Sequence, residues 1–292
     1  MAHRSWLGAL AGAALGAVAA RTAYAAFTRR PPIGDEKTWT RTNHRGEPIT
    51  LLEGPAFVAG AGAAAALAPG LPARVRAAAL IAGVGGGALG AYDDLHGGAS
   101  SKGFKGHLSA LARGEVTSGA VKILGIGAAG LVAAALLPRD PRQRAGGPAA
   151  WAVDTLVDGA VIAGAANLAN LFDLRPGRAI KVGLLTGTPL LVASLAKGAT
   201  AGAALTAVPL GAAAALLPED LGERAMLGDA GANALGALLG VAAVTGLRRP
   251  SRLAVLGVVA ALTATSEKVS FTKVIAGNPV LHRLDMLGRR PA

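Results

Sequence analysis

Apolar residues in this chain run in blocks long enough to cross a lipid bilayer, and that length constrains the fold more than any other feature. A spanning helix needs about 20 predominantly apolar residues, with about 17 tolerated. Nine segments meet or approach this, at about 6–27, 51–69, 73–92, 121–138, 151–171, 179–196, 199–217, 228–247 and 252–275. In hydrocarbon the backbone must satisfy its own hydrogen bonds, which leaves helices as the natural form for such runs. A soluble α/β fold would break them at strand length. Charged residues make up 16% of the chain, against roughly 25% in a soluble domain. The expectation is an all-α polytopic membrane protein of about nine transmembrane helices, forming a single integral membrane domain over residues 1–292. With no cysteine in the chain, disulfides and thiolate metal sites are excluded.

The formal net charge of +12 resides mainly in the connectors. There it sets topology and meets anionic headgroups, so nucleic acid is not an expected partner. Placing the amino terminus outside and the carboxyl terminus inside puts most of the 29 Lys and Arg on the cytoplasmic side. The cytoplasmic segments are then about 28–50, 93–120, 172–178, 218–227 and 276–292, in a multi-pass protein of the plasma membrane. A secretory signal ending near Ala23, Tyr24 and Ala25 is a rival reading of the first run. Arg21, Arg29 and Arg30 favour a retained helix. Gly8, Gly12 and Gly16 form a small-residue stripe suited to helix contact, as do Gly83, Gly87 and Gly90. Gly85 to Gly87 lack the Lys-Ser/Thr of a nucleotide loop.

Against this apolar background, three polar clusters stand at the ends of runs: Asp93 and Asp94; Asn167, Asn170 and Asp173; and Gly228, Asp229 and Gly231. Polar groups at membrane depth are costly and mark candidate sites. In the nine-span topology all three reach the cytoplasmic face. Asn167, Asn170 and Asp173 recur every third residue and share a helix side. Carboxylates with amides are hard oxygen ligands suited to Mg2+, which takes one or two carboxylates plus substrate phosphates. Gly228 to Gly231 begin a helix, where backbone N–H groups can cradle phosphate. The combination points to metal-assisted phosphoryl transfer. Each cluster also has a structural reading: a solvated helix end, interhelical hydrogen bonding by Asn167 and Asn170, and helix capping by Asp229. Asp154 and Asp158 share a side near the start of the fifth run, facing interface water or the bundle. Glu267 and Lys268 interrupt the ninth run as a self-compensating pair or a break.

These residues carry a resemblance. From about residue 43 to 288, the chain resembles the polyprenyl-phosphate N-acetylhexosamine-1-phosphate transferase superfamily. That superfamily includes phospho-N-acetylmuramoyl-pentapeptide transferase and undecaprenyl-phosphate N-acetylglucosamine-1-phosphate transferase. Asn43 to Thr50 with Gly54 is similar to its cytoplasmic stretch before the second helix, Gly90 to Asp94 to its Asp-Asp motif, and Lys122 to the basic residue opening its fourth helix. Asn167, Asn170 and Asp173 match the first half of its Asn-x-x-Asn-x-x-Asp-Gly-x-Asp-Gly pattern. Met226 to Gly231 resembles its Gly-Asp-x-Gly motif, and Pro279 to Gly288, with His282, its histidine-rich loop.

The resemblance implies a glycosyl-1-phosphate transferase-like bundle that uses Mg2+ to move a sugar-1-phosphate from a UDP-sugar to a polyprenyl phosphate, in cell-envelope and peptidoglycan synthesis. Asp93, Asp94, Asn170 and Asp229 would hold the metal. Asp93, Asp94, Asp173 and His282 would be catalytic, and Lys122, Asn167, Asn170, Arg175, Arg178, Gly228 and Gly231 would bind substrate. A homodimer is a possible assembly.

The chain also departs from the pattern. Leu174, Arg175, Pro176, Gly177 and Arg178 replace the family's Gly-Leu-Asp-Gly, so the second acid is gone. Arg175 and Arg178 either bind a diphosphate or lipid phosphate, or anchor a helix to the anionic leaflet. Only His282 remains of the histidine loop. These changes leave open a second reading, a degenerate relative that binds lipid phosphate or an envelope-synthesis partner as a regulator. A transporter would place its charges nearer mid-helix.

Overall fold

The computed structural model describes residues 2–97, 106, 109–110, 112–139 and 146–291. Much of the expected 93–120 cytoplasmic segment therefore lies outside the described residues. Twelve helices are described, with one short hairpin: α1 (Ala2–Arg29), α2 (Glu36–Trp39), β1 (Thr40–Thr42), β2 (Pro48–Thr50), α3 (Glu53–Leu67), α4 (Ala73–His96), α5 (Ser118–Leu136), α6 (Gly147–Phe172), α7 (Arg178–Ala196), α8 (Thr200–Leu221), α9 (Gly228–Gly246), α10 (Arg249–Ser266), α11 (Phe271–Gly277) and α12 (Pro279–Met286).

Eight of the nine apolar runs each coincide with a single helix, and the last is divided between two. Among the described residues six helices, α1 and α4 to α8, are long and apolar enough to cross a membrane, or seven if α10 and α11 count as one bent span. The protein is an all-α polytopic membrane protein. Helix α3 has only 15 residues, about 22 Å at 1.5 Å per residue, short of the roughly 30 Å hydrocarbon core. The last run is not one helix. It bends by 96° between α10 and α11, and Glu267 and Lys268 stand at the break.

Helix α9 is the axis of the bundle. All residues from Ala230 to Val244 are buried, among α3, α4, α6, α7 and α8. Such close packing requires small residues, because lipid supplies no hydrophobic drive between helices. Gly236 and Gly240 lie against Ala165 and Ile162 of α6, and Gly83 lies against Leu238. A side chain at Gly90 would overlap the backbone of Asp229. In the same way, the Gly8, Gly12 and Gly16 stripe of α1 fits the backbone of α8 at Thr200, Ala204 and Val208. Both glycine stripes thus serve helix contact.

The hairpin was not foreseen from the sequence. Strands β1 and β2 pair antiparallel, Thr40 with Thr50 and Thr42 with Pro48. Asn43 closes the turn, its side-chain oxygen accepting the N–H groups of Arg45 at 2.8 Å and Glu47 at 2.9 Å. Thr50 then pairs with the strand-like segment before α9. Its N–H donates to the Arg224 carbonyl at 3.2 Å, and its carbonyl accepts from Met226 N–H at 3.0 Å. The hairpin therefore fixes where α9 begins.

Candidate functional site

Four helix ends meet at one end of the bundle: the last turn of α4, the opening of α5, the C-terminus of α6 and the first turn of α9. Thr117 caps α5, accepting the Ala120 N–H at 3.1 Å, and so sets Lys122 just inside the helix. The Lys122 ammonium lies 2.6 Å from Asp93 Oδ2 and also contacts Asp229 Oδ2. All three side chains are mostly shielded from solvent. The Asp94 carboxylate turns instead to the start of α9, accepting the N–H groups of Asp229 at 3.0 Å and Ala230 at 2.9 Å. A carboxylate there satisfies otherwise orphaned donors and complements the positive helix end. Gly228 adopts φ +59°, and a Cβ there would lie 3.0 Å from Asp94 Oδ2. Glycine is therefore favoured on both conformational and steric grounds. Arg41 of β1 reaches over to the Asp94 backbone carbonyl.

Asp173 follows α6 and is 6% exposed. It accepts a hydrogen bond from the Gly228 backbone. Burial first, then the nearby Asp220, Asp229 and Asp94, raise its carboxyl well above the ordinary aspartate range, against the lowering effect of the Gly228 N–H. Its Oδ2 has no hydrogen-bond partner. Two acids that the sequence reading passed over complete the region. Asp220, 1% exposed, takes the Gly177 N–H at 2.8 Å through Oδ1 and leaves Oδ2 unpartnered. Glu53, 0% exposed at the start of α3, has no partner for either oxygen, and it lies within electrostatic reach of Asp220 and Asp173. Glu53 carried a legible signal, as an acid inside an apolar run. Asp220 had less, since it follows Pro218 and Glu219 where a connector is expected.

The structure therefore brings together Asp93, Asp94, Lys122, Asp173, Gly228 and Asp229. The other expected residues lie differently. Asn167 donates to Thr263 of α10 at 3.5 Å, a link between helices. Among the described residues none hydrogen-bonds the Asn170 side chain. Gly231 packs against Gly54 of α3, and the α9 N–H groups expected to cradle phosphate are taken by Asp94 and Asp173. Arg175 donates to the Leu174 carbonyl at 2.7 Å. Arg178, 4% exposed, holds Asp285 of α12 bidentately at 2.8 and 2.9 Å and Thr272 at 2.9 Å. His282 is exposed on α12, and no hydrogen bond or ion pair joins it to the four aspartates.

An apolar groove of about 750 Å3 opens beside this region, between α7, α8 and the α10 to α12 segment. Its walls include Leu185, Leu217, Leu262 and Phe271, and Arg178 and Lys181 also line it. Phe172, the neighbour of Asp173, lines it too and stacks on Phe271 at 5.1 Å.

Among the described residues, no group of three or more His, Cys, Asp or Glu is arranged to hold a metal ion. Asp93 and Asp229 nonetheless face one cation, the Lys122 ammonium. Two carboxylates are a donor set suited to Mg2+, whose remaining positions are filled by waters and substrate phosphates. Asp94 is committed to the α9 N-terminus, so the fit rests on Asp93 and Asp229. Comparison with protein-family models and with curated proteins returned no match.

Proposed function

We propose that the protein is a membrane transferase that moves a sugar-1-phosphate from a UDP-sugar to a polyprenyl phosphate at the cytoplasmic face of the plasma membrane. The observation that carries this reading is the convergence of Asp93, Asp229 and Lys122 from three helices, with Asp173, bonded to the start of α9, linking them to a groove, lined by Phe172, that suits a long apolar chain. The finer topology belongs to the same reading: nine passes, with α3 and α9 shielded by their neighbours, the amino terminus outside and the carboxyl terminus inside.

In the reaction an oxygen of the lipid phosphate attacks the sugar-bearing phosphorus of the UDP-sugar. A new P–O bond forms, the pyrophosphate P–O bond breaks, and UMP leaves with that electron pair. Such chemistry depends mainly on positioning and charge neutralisation. Asp93 and Asp229 would hold Mg2+, which would neutralise phosphate charge when bound. Lys122 moves between its two carboxylates and a phosphate oxygen. The groove holds the isoprenoid chain, with Lys181 near its polar end. Asp173, whose carboxyl is raised by burial and its acidic neighbours, accepts the Gly228 N–H at the start of α9 and leaves Oδ2 for a further contact in the site.

The alternative is a non-catalytic relative that binds lipid phosphate or an envelope-synthesis partner as a regulator. It is favoured by the commitment of Arg178 to Asp285, by the exposure of His282 and by the filled α9 N-terminus. Incubating purified protein with Mg2+, undecaprenyl phosphate and a panel of UDP-sugars separates the two. The transferase releases UMP, and Asp229→Asn lowers that release by about three orders of magnitude, a loss in the range seen for key electrostatic groups. No release across the panel, with lipid binding intact, selects the regulator.

A further inference from the structure

The opposite end of the bundle, where α5 and α9 finish and α6 and α10 begin, holds a pocket of about 390 Å3 lined by Arg139, Arg248, Arg249, Arg252 and Asp158. Its two inner arginines are buried, each 6% exposed in its side chain, and they share a single carboxylate that is 2% exposed. Arg139 Nη1 donates to Asp158 Oδ2 at 2.9 Å and its Nη2 to Thr155 Oγ1 at 2.8 Å. Arg252 Nη1 donates to both Asp158 oxygens at 2.6 Å. The Nε of each is buried with no acceptor. At the rim, Arg249 pairs with Asp154 at 2.7 Å. Arg248 is exposed and has no carboxylate partner among the described residues.

Among the described residues four guanidiniums thus face two carboxylates, leaving positive charge in excess, and two buried N–H donors remain unsatisfied. Buried donors without acceptors are costly, so a structure that retains them is prepared for an anion. Arginine forks match the oxygens of phosphate and hold them with charge-assisted bonds. A cavity of this size admits a phosphate ester group and not only water. Leu247 and Val244 on its walls suit a group that carries an apolar part.

We propose that this pocket binds a phosphate group, separate from the carboxylate cluster at the other end and independent of the transferase reading. Free phosphate and an anionic lipid headgroup offer the same chemistry, and two measurements distinguish them. Inorganic phosphate is titrated calorimetrically into the detergent-purified protein. In parallel, the protein is reconstituted into vesicles of phosphatidylglycerol in phosphatidylcholine, extracted, and examined by native mass spectrometry for retained phosphatidylglycerol. Saturable binding in either arm is expected, and the arm that shows it identifies the source. Arg252→Gln should weaken binding by about tenfold or more, the scale of one lost charge-assisted contact. Because Arg252 is buried and its variant can misfold, the exposed double variant Arg248→Gln/Arg249→Gln serves as the second probe, with a loss of about threefold or more. The proposal is overturned if the wild type binds neither ligand saturably, or if the folded double variant binds as tightly as the wild type.

Discussion

At one end of the bundle Asp93 and Asp229 meet Lys122, with Asp94, Asp173, Asp220 and Glu53 linked to them in a chain of neighbouring acids; at the other, Arg139, Arg248, Arg249 and Arg252 gather around Asp154 and Asp158. Both ends bury ionisable groups, but they resolve the cost in different ways. At the arginine end the buried acid is over-satisfied, since Asp158 receives two guanidiniums. At the carboxylate end some acids meet a cation or the N–H groups of a helix terminus, while neither oxygen of Glu53 has a hydrogen-bond partner. The sign of the surplus matches the ligand proposed for each end, a cation with its phosphates at one and an anion at the other. It also predicts opposite responses to removing an acid.

The largest effect is expected at Asp158. Asp158→Asn leaves two buried guanidiniums facing each other without a counter-charge, and breaking a buried pair costs about 3–5 kcal/mol. Thermal unfolding in detergent should show a clear fall in midpoint; a midpoint equal to the wild type would mean that this end is not held by its ion network. At Glu53 the sign reverses. Glu53→Leu keeps much of the volume and removes a buried polar group that has no partner, so a gain of about 1–3 kcal/mol is expected from the relieved desolvation. A destabilised Glu53→Leu would show that the carboxyl has a partner in the membrane, and the contrast between the ends would fail.

The sequence carried much of this contrast, and where it did not, the missing quantity was helix rotation. Apolar length is read directly from the chain, so every run became a helix, with the exception that Glu267 and Lys268 divide the last. Asp93, Asp94 and Asp229 were legible as costly residues at helix ends. The bridging position of Lys122 was not, because spacing places a residue at a helix end without saying which way it faces. For the same reason Asp154 and Asp158 were seen to share a side, but not to pair with Arg249, Arg139 and Arg252. These arginines read only as topology charges. Arg178 looked equally suited to a phosphate or a leaflet. Its partner Asp285 lies over a hundred residues away, in a helix that local pattern does not dock. The hairpin was missed because its strands have three residues each, too few for alternation to register.

That docked helix supplies the smallest predicted effect, one confined to the end of the chain. Asp285 of α12 is held by Arg178, by Arg289 at 2.6 Å and by proximity to Lys181. Burial alone would raise its carboxyl, but these three cations outweigh it and hold the group below the ordinary aspartate range. A carboxyl lowered in the folded state adds stability above its unfolded value of about 3.9 and loses it as pH falls through the folded value. The attachment of α12 should therefore be constant near neutrality and weaken below about pH 4. Hydrogen exchange over residues 279–291, followed against pH, should accelerate there before the buried α9 does. Asp285→Asn should show the same fast exchange at neutral pH. If α12 and α9 exchange together at every pH, the C-terminal helix is an integral part of the bundle, and the Arg178 clamp does not set its attachment.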